Sequence, residues 1–205
     1  MSSSKEKAKK ERSPKAPSHG SVMVGVSFDD GIILAVNSVN NLIYYLDDQI
    51  YCCANSAGYD REMLVDASSK LESSRASNSR ILVSQVVELI SRLSDKANPT
   101  ELLLAGEDVT GLYLVTMAAS QPISLVNFAA MGDGATGQTG PAEYLKNHWQ
   151  PAMSLKQAEA LARHTVTLGG GQRLCADVCI VFKRPPAPLR MERLTSLRYH
   201  NQKKR

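Results

Sequence analysis

The chain has 205 residues, 43% hydrophobic and 21% charged, the length and composition of an ordinary globular domain with room for a real core. Its formal net charge of +4 is unevenly laid out: residues 1–20 carry +4, residues 183–205 carry +7, and the body 21–182 carries −7. No run approaches membrane-spanning length and the lysine-rich start lacks an apolar targeting core, which argues against a membrane protein and points to the cytosol or nucleus.

Residues 1–20 are Ser, Lys, Glu, Pro and Ala without a hydrophobic run, and read as a disordered basic extension. From Gly20 the pattern changes. Val22, Val24 and Val26 alternate, Asp29-Asp30-Gly31 supplies turn chemistry, and Ile32–Val36 returns, so 20–37 reads as a β-hairpin. Two further strands follow at Leu42–Leu46 and Gln49–Ala54, split by Asp47-Asp48. The period then becomes helical: Met63, Leu64, Ala67 and Leu71 share one face of a helix over 60–75. Ile81, Leu82, Val86, Val87, Leu89, Ile90 and Leu93 define a second helix, with Asn78 or Ser79 as its cap and Asn98-Pro99 as its end.

Strands return at Leu102–Ala105, Tyr113–Met117 and Leu125–Ala130, the first two separated by the turn Glu107–Gly111. A glycine-rich turn, Met131–Gly137, precedes a helix over Pro141–His148. Ser154 and Gln157 form a capping box for a helix over Ser154–Thr165, Gly169–Gly171 breaks the chain, and Ala176–Phe182 is a last strand. Strands, two helices, strands, two helices and a strand, with no repeat at solenoid spacing, predict an α+β protein of antiparallel sheets covered by segregated helix pairs.

Most chemistry-bearing residues have a plain structural reading. Cys52-Cys53 and Cys175/Cys179 lack zinc spacing and have no nearby histidine, and strand neighbours point to opposite faces, so reduced core thiols are expected. Gly132-Asp133-Gly134 is too short for a phosphate loop and no Gly-Lys-Ser/Thr follows it, so Asp133 reads as a turn residue capping backbone N–H groups. His148 and His164 flank helices as exposed residues without metal-spaced partners, and Trp149 packs at a helix end. No cofactor or metal is expected. The basic tails have no interleaved aromatics apart from Tyr199, which argues against a nucleic-acid reader.

The hairpin, the run Ile50-Tyr51-Cys52-Cys53-Ala54, the run Ala105-Gly106-Glu107-Asp108-Val109-Thr110-Gly111-Leu112-Tyr113, and Met131-Gly132-Asp133-Gly134 together resemble the β-type subunits of the proteasome core particle. The Tyr-Cys-Cys and Gly-x-Asp-Val-Thr-Gly runs look most like the trypsin-like-activity class. The resemblance covers 21–182, with 1–20 as a propeptide-like extension and 183–205 as a basic, Pro-containing tail. It implies a four-layer αββα sandwich of the N-terminal-nucleophile hydrolase type, set in a ring beside other α- and β-type subunits. It also implies a C-terminal arm on an adjacent β subunit. Active relatives expose a threonine by self-cleavage after glycine; its hydroxyl attacks the peptide while its own amine helps move the proton.

Carried over position by position, that site is changed. Ser21 stands at the nucleophile position, after Gly20 and His19. The aspartate ending the second strand falls on Asn37, and the lysine before the third strand falls on Leu42. A leucine cannot supply the cation that lowers a hydroxyl's proton affinity, and residues 38–50 contain no lysine at all. The supporting serine of the Met-Gly-Ser-Gly turn falls on Asp133; the Asp and Ser of the penultimate loop fall on Gly169 and Gln172. An oxyanion N–H falls near Ser56. The expectation is a non-catalytic ring subunit in intracellular protein degradation, in the cytoplasm and nucleus. The alternatives are an active peptidase using Ser21 after cleavage at Gly20, and a binding or regulatory protein that reuses the fold with its basic tails.

Overall fold

The computed structural model describes residues 21–37, 41–55, 58–75, 80–94, 101–118, 121–135, 140–170 and 176–185. The opening hairpin is β1 (Met23–Phe28) and β2 (Gly31–Asn37), paired antiparallel with Val24 opposite Ala35. β3 (Asn41–Asp47) and β4 (Ile50–Asn55) form a second hairpin, followed by α1 (Gly58–Ser74) and α2 (Val83–Leu93). Then come β5 (Leu102–Asp108), β6 (Gly111–Ala118), β7 (Gln121–Leu125), β8 (Phe128–Met131), α3 (Pro141–His148), α4 (Leu155–Gly170) and β9 (Ala176–Phe182). One sheet has the order β8-β1-β2-β9 and the other β3-β4-β5-β6-β7.

The two-residue period of the strands sorts their side chains into three cores. Val24, Val26, Ile33 and Ala35 face α3 and α4, where they meet Leu145, Ala158, Ala162 and Val166. Their neighbours Met23, Ile32, Leu34 and Val36 point the other way, against Cys53, Leu103, Ala105 and Leu114 of the second sheet. On the far side of that sheet Cys52, Ala54, Leu102 and Leu104 bury Leu64, Ala67, Val86 and Ile90 of α1 and α2. The result is the α+β, four-layer αββα sandwich. Its central strands read as continuous apolar runs because both faces are covered, and each fully buried Leu or Ile there contributes about 1.5–3 kcal/mol.

Cys52 and Cys53 point to opposite faces as expected; with Cys179 they are free thiols, and burial pushes Cys52 and Cys53 well up from the ordinary thiol range and raises Cys179 as well. Trp149 packs on Phe128, ring centres 5.3 Å apart, and its indole N–H donates to the Ser27 carbonyl at 3.0 Å. His148 and His164 are exposed and flank Tyr144, which His148 stacks on. No group of three metal-ligating side chains occurs among the described residues.

Four expectations need correction. The run Leu125–Ala130 is not one strand: Leu125 ends β7 in the second sheet, while Phe128–Ala130 lie in β8 of the first. Val126 and Asn127 carry the crossing, the first donating its N–H to Leu114 O (3.0 Å) and the second accepting from Ser27 N–H (2.8 Å). An unbroken apolar run hides a change of sheet. Glu107 and Asp108 belong to β5, so the turn shrinks to Val109-Thr110. The glycines do not break the chain where expected, since α4 runs through Gly169 to Gly170; Gly171 lies outside the described residues, as does Cys175.

The fourth concerns the start of α2. Its cap residue is Leu82, whose N–H is taken by the Gln85 side chain at 2.9 Å. The buried first N–H of the helix, on Val83, is satisfied from 25 residues away by the Asp108 carboxylate at 2.7 Å. Asp108 also accepts from the N–H of Thr110 (2.7 Å) and from its hydroxyl. Asn78, Ser79 and Asn98-Pro99 lie outside the described residues; α2 ends at Leu93, with Ser94 N–H bonded to Ile90 O.

The chain leaves β9 tied to the body. Lys183 N–H donates to Asp30 O at 2.7 Å. The Arg184 guanidinium meets Asp48 at 2.7 Å and the buried carboxylate of Glu107 at 3.6 Å.

Candidate active site

The start of β1 is where the fold gathers most of the positions singled out from the sequence. Ser21 is 9% exposed. Its carbonyl accepts the N–H of Gly134 at 3.0 Å, so the turn after β8 closes over it. Gly132 makes that closure with φ +102°; a Cβ there would lie 2.3 Å from the Ser21 carbonyl oxygen and 3.0 Å from its Oγ. Only glycine tolerates both the positive φ and the approach. Asp133, at the tip, is exposed, and the turn is closed by the bond from Ala135 N–H to Gly132 O at 2.9 Å.

Asn37 reaches the same place from the end of β2. It is 1% exposed, its Oδ1 accepts the Val22 N–H at 2.9 Å, and its own N–H donates to Val22 O at 3.2 Å. It therefore holds the strand that carries Ser21, as a neutral amide. Gly169 comes in from the last turn of α4. A Cβ at this position would sit 2.4 Å from Val22 Cγ2, 2.6 Å from Gly134 O and 3.0 Å from Pro141 Cγ. Here the structure adds something the sequence did not signal: there is no room for even a methyl group, and hence none for a carboxylate.

Leu42 belongs to the second sheet, on its edge strand β3, opposite Ala54 and 40% exposed. Gln172, Ser56, Gly20 and His19 lie outside the described residues. So Ser21, Asn37, the Gly132–Gly134 turn and Gly169 converge. Asn37 contributes a neutral amide bonded to Val22, Gly132, Gly134 and Gly169 contribute backbone alone, and Asp133 stands exposed at the tip of the turn.

Sequence reasoning did not foresee the role of Asp108. Burial works to raise its pKa, but the hydrogen bonds from Thr110, Val83 and Gly111 outweigh that and hold the carboxyl below the ordinary carboxylate range. An acceptor of this kind at a helix start also meets the positive end of the helix dipole. The signal was present as Asp108-x-Thr110-Gly111, an Asx-type turn. One of the runs that carry the family resemblance thus acts as a bracket between the β5–β6 hairpin and α2.

Comparison with known proteins agrees with this architecture. The model of the family described as "Proteasome subunit" matches residues 17–175. The chain is 26% identical over 192 residues to proteasome subunit beta type-10 of Bos taurus, covering 83% of this chain and 68% of that one. It is 28% identical over 193 residues to proteasome subunit beta type-7-B of Arabidopsis thaliana (82% and 69%). To proteasome subunit beta type-2 of Saccharomyces cerevisiae it is 24% identical over 190 residues (82% and 71%). With the sandwich, the buried strand-leading serine and the bracket motif in place, the chain belongs to the proteasome subunit family, on its β-type side.

Proposed function

We propose that this chain serves as a non-catalytic β-type component of the proteasome core particle, shaping the ring and positioning its neighbours rather than cutting peptides. Membership of the β-type group implies assembly with other proteasome subunits in a core particle. The observation that carries the non-catalytic reading is the chemistry around Ser21. The position implied for a cationic lysine is Leu42, the position implied for an aspartate is Asn37, and the Asn37 amide oxygen is already used on the Val22 N–H. A hydroxyl attacks well only when a neighbour takes its proton or an adjacent charge lowers its pKa. Losing one such partner costs about 10²–10⁴ in rate, and partners that act as a unit are not replaced singly. The fit of Gly169 against Val22 and Gly134 supports the same reading, since it leaves no space for the acidic side chain that the resemblance implies at this position.

The test is the mass and reactivity of the chain in the assembled particle. A chain still carrying residues before Ser21, and unlabelled by an electrophilic peptide probe that requires a free N-terminal nucleophile, is expected. A chain beginning at Ser21 and labelled on its hydroxyl overturns the proposal in favour of a serine-type peptidase. The location follows the particle, in the cytoplasm and nucleus.

A further inference from the structure

The helices α1 and α2 cover the second sheet, and where they meet lies an open groove of about 620 Å³. The last turns of α1 lend it Lys70 and Leu71, and the approach to α2 lends Arg80 and Leu82. Further along α2, Glu88 and Arg92, one turn apart, flank Leu89. The leucines give the groove an apolar floor, and its charged lining is three cations to one acid.

That charge runs against its surroundings, since residues 21–182 together carry −7. The cations are also weakly committed. Lys70 and Arg92 meet acids of their own helices, Asp66 and Glu88, in pairs that are half exposed or more, and pairs of that kind hold their partners loosely. The Arg80 guanidinium, 46% exposed, makes no hydrogen bond among the described residues; the acid it faces, Glu107, is 4.0 Å away.

We propose that this groove docks an acidic segment of another protein chain, one that also carries an aliphatic anchor. Carboxylates of the segment pair with Arg80 and Arg92, whose forked N–H donors match a carboxylate, and the anchor covers Leu82 and Leu89. The acidic body turns such a segment away elsewhere and so directs it to the groove. The segment does not come from this chain's own ends, because both are basic: residues 1–20 carry +4 and residues 183–205 carry +7. A nucleic acid fits less well, since none of the groove's lining residues is aromatic and a base finds nothing to stack on. The inference rests on the fold and the charge layout and stands apart from whether Ser21 is catalytic.

The experiment puts a photoreactive benzoylphenylalanine in place of Glu88, on the groove rim, in the full chain, irradiates intact cells and identifies the joined peptides. The expected product is one recurring segment of another chain in which Asp and Glu outnumber Lys and Arg and an aliphatic side chain is present. In Arg80→Glu/Arg92→Glu its yield is expected to fall about tenfold, while Arg163→Glu, on α4, leaves it unchanged. The two groove arginines are 46% and 70% exposed, so the reversed chain is expected to unfold in urea like wild type. If it does not fold, Lys70→Glu alone carries the test, with an expected fall of about threefold. Cross-links confined to this chain, to a neutral or basic segment, or to nucleic acid or lipid, and the absence of any joined partner, each overturn the proposal. So does a yield that charge reversal leaves unchanged.

Discussion

Replacing Asp108 tests the claim that the Ala105–Tyr113 run is a structural bracket. In Asp108→Ala, the Val83 N–H, on a residue only 3% exposed, loses its acceptor at the start of α2. Loss of a capping acceptor costs about 1–2 kcal/mol, and a buried donor left unpaired costs about 1–3 kcal/mol, terms that overlap in part. The Thr110 donors are exposed and turn to water, adding little. The expected loss is about 2–4 kcal/mol, mostly from one hydrogen bond and the helix end it completes. With a urea slope of about 2 kcal/mol per molar, the midpoint falls by about 1–2 M.

The assay is urea unfolding of the full chain, followed by far-ultraviolet circular dichroism and by the fluorescence of Trp149, the only tryptophan. Asp108→Asn keeps one acceptor oxygen and should fall between wild type and alanine. Because folding holds the Asp108 pKa down, its contribution is present at neutral pH, above the unfolded-state value. It is lost as pH falls through the folded-state value. The asparagine variant has no such titration, so wild type should lose more stability than Asp108→Asn between pH 7 and pH 3. An alanine variant within about 0.5 kcal/mol of wild type, a loss no larger than an ordinary surface change, would refute the bracket. Identical acid losses in wild type and Asp108→Asn would refute the pH argument.

Other substitutions probe the site and the core. Gly169→Ala gains about 1 kcal/mol of helix propensity but drives a methyl into Val22 and the Gly134 carbonyl, so a net loss of about 1–3 kcal/mol is expected in thermal unfolding; a stabilised variant would mean that contact is loose. Gly132→Ala combines a positive φ with a clash on the Ser21 carbonyl and should cost about 3 kcal/mol or more; native-like melting would contradict the close approach. Restoring charge with Asn37→Asp/Leu42→Lys should leave peptide cleavage undetected, because the acid that the resemblance implies at 169 has no room there; measurable turnover by that double variant would show that the volume at 169 is not limiting, while turnover by the unaltered chain would contradict the non-catalytic reading. Under native conditions at pH 8, iodoacetamide should spare Cys52 and Cys53, whose burial raises their pKa, while urea exposes both; fast native alkylation would place them outside the core.

The sequence by itself determined the elements and their order. Alternation in Val22–Val26 and Ile32–Val36 marked strands, the spacing of Met63, Leu64, Ala67 and Leu71 marked a helix, and Ser154 with Gln157 marked a helix start that the structure closes at 2.9 Å. These are local signals, because strand pleat and helix turn repeat within a few residues. Tertiary structure decided what depends on residues far apart in the chain. It split Leu125–Ala130 between two sheets, since a continuous apolar run buries equally well on either side of a crossing. It capped α2 with Asp108 rather than with a neighbour, since a helix end needs an acceptor in space and not in sequence. It brought Ser21, Asn37, the Gly132–Gly134 turn and Gly169 to one point, and there made glycine at 169 a matter of volume: the Val22 side chain and the Gly134 carbonyl already occupy the space a side chain would need.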